Sequence, residues 1–297
     1  MEINTVGVIG AGQMGSGISL VAAQSGLHVV LHDIKEDLLQ RGMSVIAGFL
    51  DREISKGTRN GSEKEAIFQR LKCTIVLEDL QSADFIIEAA SESESIKFQI
   101  FRDLDRICPP STILGTNTSS IPIGRIAAHT SRPDKVIGMH FMNPAPAMQL
   151  VEVIRSLTTS EETYETTCTL SKRLGKTPVE SRDVPGFISN RILMTMINEA
   201  VFALQDGVGT RDAIDAVMRL GMNHPIGPLA LADLIGLDTC LSVMETLFDG
   251  YKDTKYRPCP LLRQYVDAGW LGRKKGRGFY VYGPAGAEEA PRANLVD

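Results

Sequence analysis

His140 closes the apolar run Val136-Ile-Gly-Met-His140, and Glu152 sits inside a second one, Leu150-Val-Glu-Val-Ile154. An imidazole at a strand end suits proton acceptance near neutral pH, because its unperturbed pKa is about 6.5. A carboxylate among apolar neighbours is costly to bury alone and calls for a cation or a donor. Together they would form an acid/base dyad, in which Glu152 fixes the imidazole tautomer and stabilises the imidazolium. Singly, each has a plainer reading: a structural histidine with satisfied hydrogen bonds, and an exposed glutamate on an edge strand. Two more polar side chains suit a small ligand's oxygen. Ser119 lies in Gly115-Thr-Asn-Thr-Ser-Ser120, with no G-x-S-x-G elbow to make it a nucleophile. Asn190, in Gly186-Phe-Ile-Ser-Asn-Arg191, stands early in a helix, where a middling helix former serves as a substrate donor, a cap or a surface group.

The redox half of such a site is written at the amino end. Val6-Gly-Val-Ile-Gly10-Ala-Gly12-Gln13-Met14-Gly15 is an apolar strand running into G-x-G-x-x-G. Gly10 permits the tight turn, Gly12 lets backbone approach a pyrophosphate, and Gly15 lets the helix pack closely on the strand. The anion then rests on the helix N-terminus around Gln13 and Met14, at unpaired N–H groups and the positive dipole end. Asp33 closes the next apolar run, Val29-Val-Leu-His-Asp33, about 20 residues beyond, where a ribose is met. Its carboxylate accepts from a 2′-hydroxyl and repels a 2′-phosphate, which favours NAD over NADP. Lys35 is near enough in sequence to soften that preference.

Positioning these residues falls to alternating elements. Short apolar runs at 85–88, 112–115, 136–140 and 150–154, mostly separated by helical stretches, predict βαβ units and a Rossmann-like, doubly wound α/β sheet. Ligands then gather at the carboxyl ends of the strands. Helical spacing up to Leu50, broken by the basic turn formers Ser55-Lys56-Gly-Thr-Arg-Asn-Gly61, predicts a protruding helical hairpin. The stretch Ser181-Arg-Asp-Val-Pro-Gly186 ends the pattern. One long helix is expected from near Pro185, with Phe187, Ile192, Met196 and Leu204 on its apolar side, ending at Gly207. Further helices are expected over 212–220, 229–248 and 261–266. The domain reading is therefore a NAD-binding domain at 1–184 and a mostly α-helical substrate and dimerisation domain at 185–297, with 283–297 a flexible tail. The apolar surplus of the second domain predicts a symmetric homodimer. Its junction, near Gly186, is the expected hinge of a closing cleft.

Composition bounds the alternatives. Of 297 residues, 43% are hydrophobic and 23% charged, the balance of a folded globular chain rather than a disordered or membrane one. A net charge of −5 gives no general attraction to nucleic acid or anionic lipid. Five widely spaced cysteines without C-x-x-C pairing indicate neither a disulfide framework nor a zinc site, so no metal is expected. Without a secretory leader or a run of about 20 apolar residues, a cytoplasmic protein is expected.

Several blocks, in one order, resemble the 3-hydroxyacyl-CoA dehydrogenase family, of the short 3-hydroxybutyryl-CoA type. They are Gly10-Ala-Gly-Gln-Met-Gly-Ser-Gly17, Glu88-Ala89, Asn117-Thr-Ser-Ser120, Gly138-Met-His-Phe-Met-Asn-Pro144, Leu150-Val-Glu-Val-Ile154, Asp183-Val-Pro-Gly-Phe-Ile-Ser-Asn-Arg191, Pro225-Ile-Gly-Pro228 and Gly272-Arg-Lys-Lys-Gly-Arg-Gly-Phe-Tyr280. The resemblance implies reversible NAD-dependent oxidation of an (S)-3-hydroxyacyl-CoA, with His140 as base, Glu152 as its orienting acid, and Ser119 and Asn190 on the substrate oxygen. It also implies cofactor contacts from Asp33, Glu92, Lys97, Ser119, Asn143 and Lys274, and thioester-nucleotide contacts near Lys56. Two positions depart from the family: Ser93 stands where Asn is usual, and Lys275 where Thr is usual. Two other readings stay open, a dehydrogenase of a free hydroxy or sugar acid on the same scaffold, and a relative that binds without catalysis.

Overall fold

A computed structural model describes residues 2–283. The chain divides into two compact units, Met1–Val184 and Pro185–Asp297. In the first, β1 (Thr5–Ile9), α1 (Gln13–Gln24), β2 (His28–His32), α2 (Glu36–Ser55), α3 (Gly61–Phe68), β3 (Leu71–Thr74) and β4 (Phe85–Glu88) build one half of a sheet. The other half comprises α4 (Glu94–Ile107), β5 (Ile113–Thr116), α5 (Ile123–Ala127), β6 (Val136–Phe141), β7 (Leu150–Arg155), α6 (Glu161–Arg173) and β8 (Thr177–Arg182). The eight strands lie in the order β3-β2-β1-β4-β5-β6-β7-β8. All pairings are parallel except β6 with β7, which is antiparallel. The order reverses between β1 and β4, so a crevice opens beyond their carboxyl ends. The central strands β4, β5 and β6 are buried throughout, as strands covered by helices on both faces must be.

The two strands that hydrophobic runs do not predict are the edges. β3 reads Leu-Lys-Cys-Thr, and β8 carries Pro178 and three exposed polar side chains. An edge strand buries little and tolerates a residue that cannot donate to the ladder. The hairpin is α2 and α3, joined by the basic turn. Helix α2 runs on to Ser55 instead of stopping at Leu50. Asn60 begins α3 with a reciprocal capping box, its side chain accepting from Glu63 N while Glu63 Oε2 accepts from Asn60 N.

The second unit holds α7 (Ser189–Gln205), α8 (Arg211–Ala216), α9 (Pro228–Ile235), α10 (Leu237–Tyr251) and α11 (Pro260–Asp267) around a core that includes Met194, Leu229, Leu237, Met244 and Phe279. Its long helix starts at Ser189, not near Pro185, because Gly186 (φ +75°) and Phe187 (φ +51°) make a left-handed turn. The helix expected over 229–248 is two helices. Gly236, at φ +106°, ends α9 and starts α10, a conformation that no continuing helix allows. Beyond Gly283, the expected tail lies outside the described residues.

Candidate active site

Gly12 stands at the cap position before helix α1 and gives it no side-chain cap, so the first turn offers backbone N–H groups rather than being closed by its own chain. A Cβ placed on Gly12 would meet no heavy atom within 4 Å, whereas one on Gly15 would lie 1.7 Å from the Gly10 carbonyl. Gly15 is thus required by the turn itself more than by the strand, whose nearest atom, Val8 Cγ1, is 3.5 Å away. Asp33, just past β2, accepts from Ala11 N at 2.6 Å and from Ile34 N at 2.7 Å, bracing the glycine turn from the neighbouring loop. Gln13 Nε2 donates to Asn143 Oδ1 at 3.0 Å. These open donors, with an acidic group beside them, fit a dinucleotide's pyrophosphate and ribose.

The dyad is a product of the one strand reversal. His140 and Glu152 stand directly opposite in the antiparallel β6–β7 register, which points both side chains to the same face. Nδ1 of His140 is 2.8 Å from Glu152 Oε2, with the residues 8% and 1% exposed. Water is largely excluded, so the carboxylate acts on the ring through a low dielectric. One residue on, Phe141 N donates to Asn117 Oδ1 at 2.8 Å, tying the end of β6 to the loop after β5.

That loop carries Ser119. Glu92 Oε1 accepts from Thr118 Oγ1 (2.6 Å), Ser119 N (3.0 Å), Ser120 N (3.0 Å) and Ser120 Oγ (2.8 Å), so one carboxylate oxygen holds the whole turn. Desolvation opposes its ionisation, but Lys97 and these hydrogen bonds outweigh it and hold Glu92 below the ordinary carboxylate range. Lys97, 3.4 Å from Glu92 Oε2, is itself buried and donates to both oxygens of Glu88, at 2.7 and 2.9 Å. Glu88 accepts further from Thr116 Oγ1 and Ala90 N, both at 2.7 Å. Glu88, Asn117 and Thr118 escaped the sequence reading as functional residues. Glu88 alone had a signal, since Phe85-Ile-Ile-Glu88 poses the same problem of an acid in an apolar strand as Glu152 does. Lys56 is exposed at the carboxyl end of α2 and joins none of these clusters.

In the second unit, Asn190 is the second residue of α7 and half-buried. Lys274 donates to both oxygens of Asp238, at 2.6 and 2.7 Å. The tail motif around it forms a clasp on Asp233, whose carboxylate accepts from Phe279 N, Tyr280 N and the Tyr282 hydroxyl, each at 2.9 Å. A Cβ on Gly278 would fall 1.9 Å from Asp233 Oδ1, which accounts for glycine there. Burial pushes the Asp233 carboxyl up to about 6 despite these donors. Among the described residues no group of three or more His, Cys, Asp or Glu could hold a metal ion, and no helix is long and apolar enough to cross a membrane.

A doubly wound sheet with a glycine turn at its switch point defines a dinucleotide-binding protein. Residues 5–184 match the family model "3-hydroxyacyl-CoA dehydrogenase, NAD binding domain", and residues 186–282 match that family's C-terminal domain. The chain is 55% identical over 282 residues to a probable 3-hydroxybutyryl-CoA dehydrogenase of Bacillus subtilis, covering 95% of this chain and 98% of the relative. It is 52% identical to the 3-hydroxybutyryl-CoA dehydrogenase of Bradyrhizobium diazoefficiens, covering 97% and 98% of the two chains. Its fold matches the crystal structure of (S)-3-hydroxybutyryl-CoA dehydrogenase from Ralstonia eutropha with a TM-score of 0.93 at 49% identity, over 95% of this chain and 100% of that one. The chain belongs to the 3-hydroxyacyl-CoA dehydrogenase family.

Proposed function

We propose that the protein catalyses the reversible oxidation of an (S)-3-hydroxyacyl-CoA, 3-hydroxybutyryl-CoA foremost, to the 3-oxoacyl-CoA, with NAD as cofactor. The observation that carries this reading is the buried His140–Glu152 pair on the strands following a dinucleotide-binding turn. With Nδ1 turned to Glu152, His140 receives the C3 hydroxyl proton at Nε2, and the adjacent carboxylate stabilises the imidazolium that results. Ser119 and Asn190 donate to the same oxygen as it passes from alcohol to ketone. Bound nicotinamide supplies the hydride chemistry.

The glycine turn at Gly10 and Gly12 and the first turn of α1, with Gln13, Met14 and Gly15, would hold the pyrophosphate, and Asp33 the adenosine ribose, whose 2′-phosphate in NADP it repels. Glu92, Lys97, Asn143 and Lys274 are the further cofactor contacts. Lys56, on the basic turn, takes the nucleotide phosphates of CoA. Ile192, Val208, Leu220 and Met222, exposed at 65, 80, 85 and 60%, support a homodimer formed through the second unit. Five cysteines that pair with none of one another suit a reducing, cytoplasmic setting.

Oxidation of NADH by acetoacetyl-CoA tests the reading directly. Turnover that survives removal of the CoA moiety would transfer the reading to a free hydroxy acid. NADH binding without turnover would make the chain a non-catalytic relative.

A further inference from the structure

Lys176, at the entrance to β8, is 8% exposed. Its ammonium donates to two backbone carbonyls, Ala145 O at 2.6 Å and Met148 O at 2.7 Å. Burial lowers its pKa, and no nearby charge contributes to that shift. A buried cation held by carbonyls rather than by a carboxylate is costly, and such a group persists where its donors are needed. The need is visible in the sequence of the loop it holds, Asn143-Pro-Ala-Pro-Ala-Met148. Pro144 and Pro146 have no N–H, and the N–H groups of Ala147 and Met148 both turn to Pro144 O, at 3.0 and 3.1 Å. Two of the loop's four N–H groups are thus taken up by Pro144 O, and the carbonyls of Ala145 and Met148 receive their hydrogen bonds from Lys176 instead.

What the loop holds in place is the dinucleotide end of the site. Ala145 is buried, and a Cβ on Gly17 of α1 would meet Pro146 at 3.1 Å and Ala145 at 3.2 Å, so the loop packs directly on the helix that follows the glycine turn. Asn143 at its start accepts from Gln13 in the first turn of that helix. We propose that Lys176 is a positioning residue that seats the 143–148 loop against α1, so that Asn143 meets the nicotinamide cofactor. This rests on the cofactor reading given above, and it assigns Lys176 to cofactor affinity rather than to proton transfer.

The test is a double-mutant cycle on NADH affinity, read from the fluorescence of bound NADH without any acyl substrate. Lys176→Met keeps the unbranched apolar stem and removes the ammonium with its charge and donors. It is expected to raise the NADH Kd at least about tenfold, the scale of buried acceptors left without a donor, while Lys176→Arg recovers part of the loss. In an Asn143→Ala background the same change is expected to add little, since residues acting through one another are not additive. The acid limb of the kcat–pH profile should stay where it is, because the dyad is untouched. If Lys176→Met does not fold, Lys176→Gln carries the same comparison. A Kd changed less than about twofold, or effects of Lys176 and Asn143 that simply multiply, would overturn the assignment. A wild-type protein that binds NADH but ignores acetoacetyl-CoA would refute the reaction and leave this proposal to be decided by the Kd values. A wild type that does not bind NADH would end both.

Discussion

Glu152→Gln isolates the electrostatic half of the dyad while preserving its shape. In the wild type the carboxylate sits 2.8 Å from the ring nitrogen, at 1% exposure. For imidazolium and carboxylate charge centres about 4 Å apart at an effective dielectric near 20, the attraction is about 4 kcal/mol. Neutral imidazole feels little of it, so the term belongs to the protonated state and to the transition state approaching it. At 1.36 kcal/mol per decade, its loss is expected to lower kcat for oxidation by about three powers of ten. An amide cannot stabilise the charged ring, so the pH dependence of turnover should change in both directions of reaction. The assay is initial-rate kinetics in both directions between pH 5 and 10 at saturating cofactor, with the NADH Kd as control. A variant with less than about tenfold loss and an unmoved profile would refute the reasoning and leave Glu152 a structural carboxylate.

His140→Ala is expected to cut turnover by two to four powers of ten, the usual range for a positioned acid/base group, with the NADH Kd nearly unchanged. Glu88→Gln leaves the buried Lys97 ammonium with only Glu92, 3.4 Å away, as a carboxylate partner. Its expected cost is about 3 kcal/mol, the lower end for breaking a buried pair, seen as a lowered thermal midpoint. Pairing it with Lys97→Met should cost less than the sum, and additive losses would count against a coupled pair. Asp33→Ala is expected to narrow the ratio of kcat/KM for NADH over NADPH by weakening the first and relieving the second; an unchanged ratio would place discrimination elsewhere. Asp233 titrates at about 6 in the fold against 3.8 ordinarily, so the folded state holds its proton more tightly. Its contribution is complete below about pH 4 and fades as pH rises to about 6, a loss of about 3 kcal/mol. The stability advantage of wild type over Asp233→Asn, from urea midpoints, should shrink across that window; growth would contradict the buried-acid account.

The sheet's interior was legible because parallel strands covered on both faces must be apolar runs, and Phe85–Glu88, Ile113–Thr116 and Val136–Phe141 are such runs. Its edges were not, since Leu71–Thr74 and Thr177–Arg182 bury too little to leave a pattern. Gly236 was visible as a residue but not as a break, because a glycine's identity does not fix its φ, and the value of +106° shows only in the folded backbone. In the site, the dyad could be suspected from two acid/base residues in apolar strands. Its geometry depended on the β6–β7 reversal, which no local pattern encodes. Glu92 and Lys97 were reached through the family's spacing, whereas Glu88 showed only as an acid in an apolar strand, and its partners emerge once Thr116 and Lys97 of α4 are brought beside it. Lys176 is the extreme case: its partners are carbonyls about thirty positions earlier, and backbone acceptors leave no trace in residue identity.

The strand reversal also divides what can vary from what cannot. Side chains alternate along a strand, so deleting one residue within Val136–Phe141 or Leu150–Arg155 would turn His140 or Glu152 to the opposite face and abolish the dyad at once. The connection between those strands carries no such parity. Residues could be added to it or exchanged with the ladder intact, altering how the cofactor or an acyl chain is seated while proton transfer persists. A change of length in the connection would therefore be felt in the loop that Lys176 and α1 hold, and a change of length in either strand in the dyad, so cofactor seating and proton transfer can fail separately.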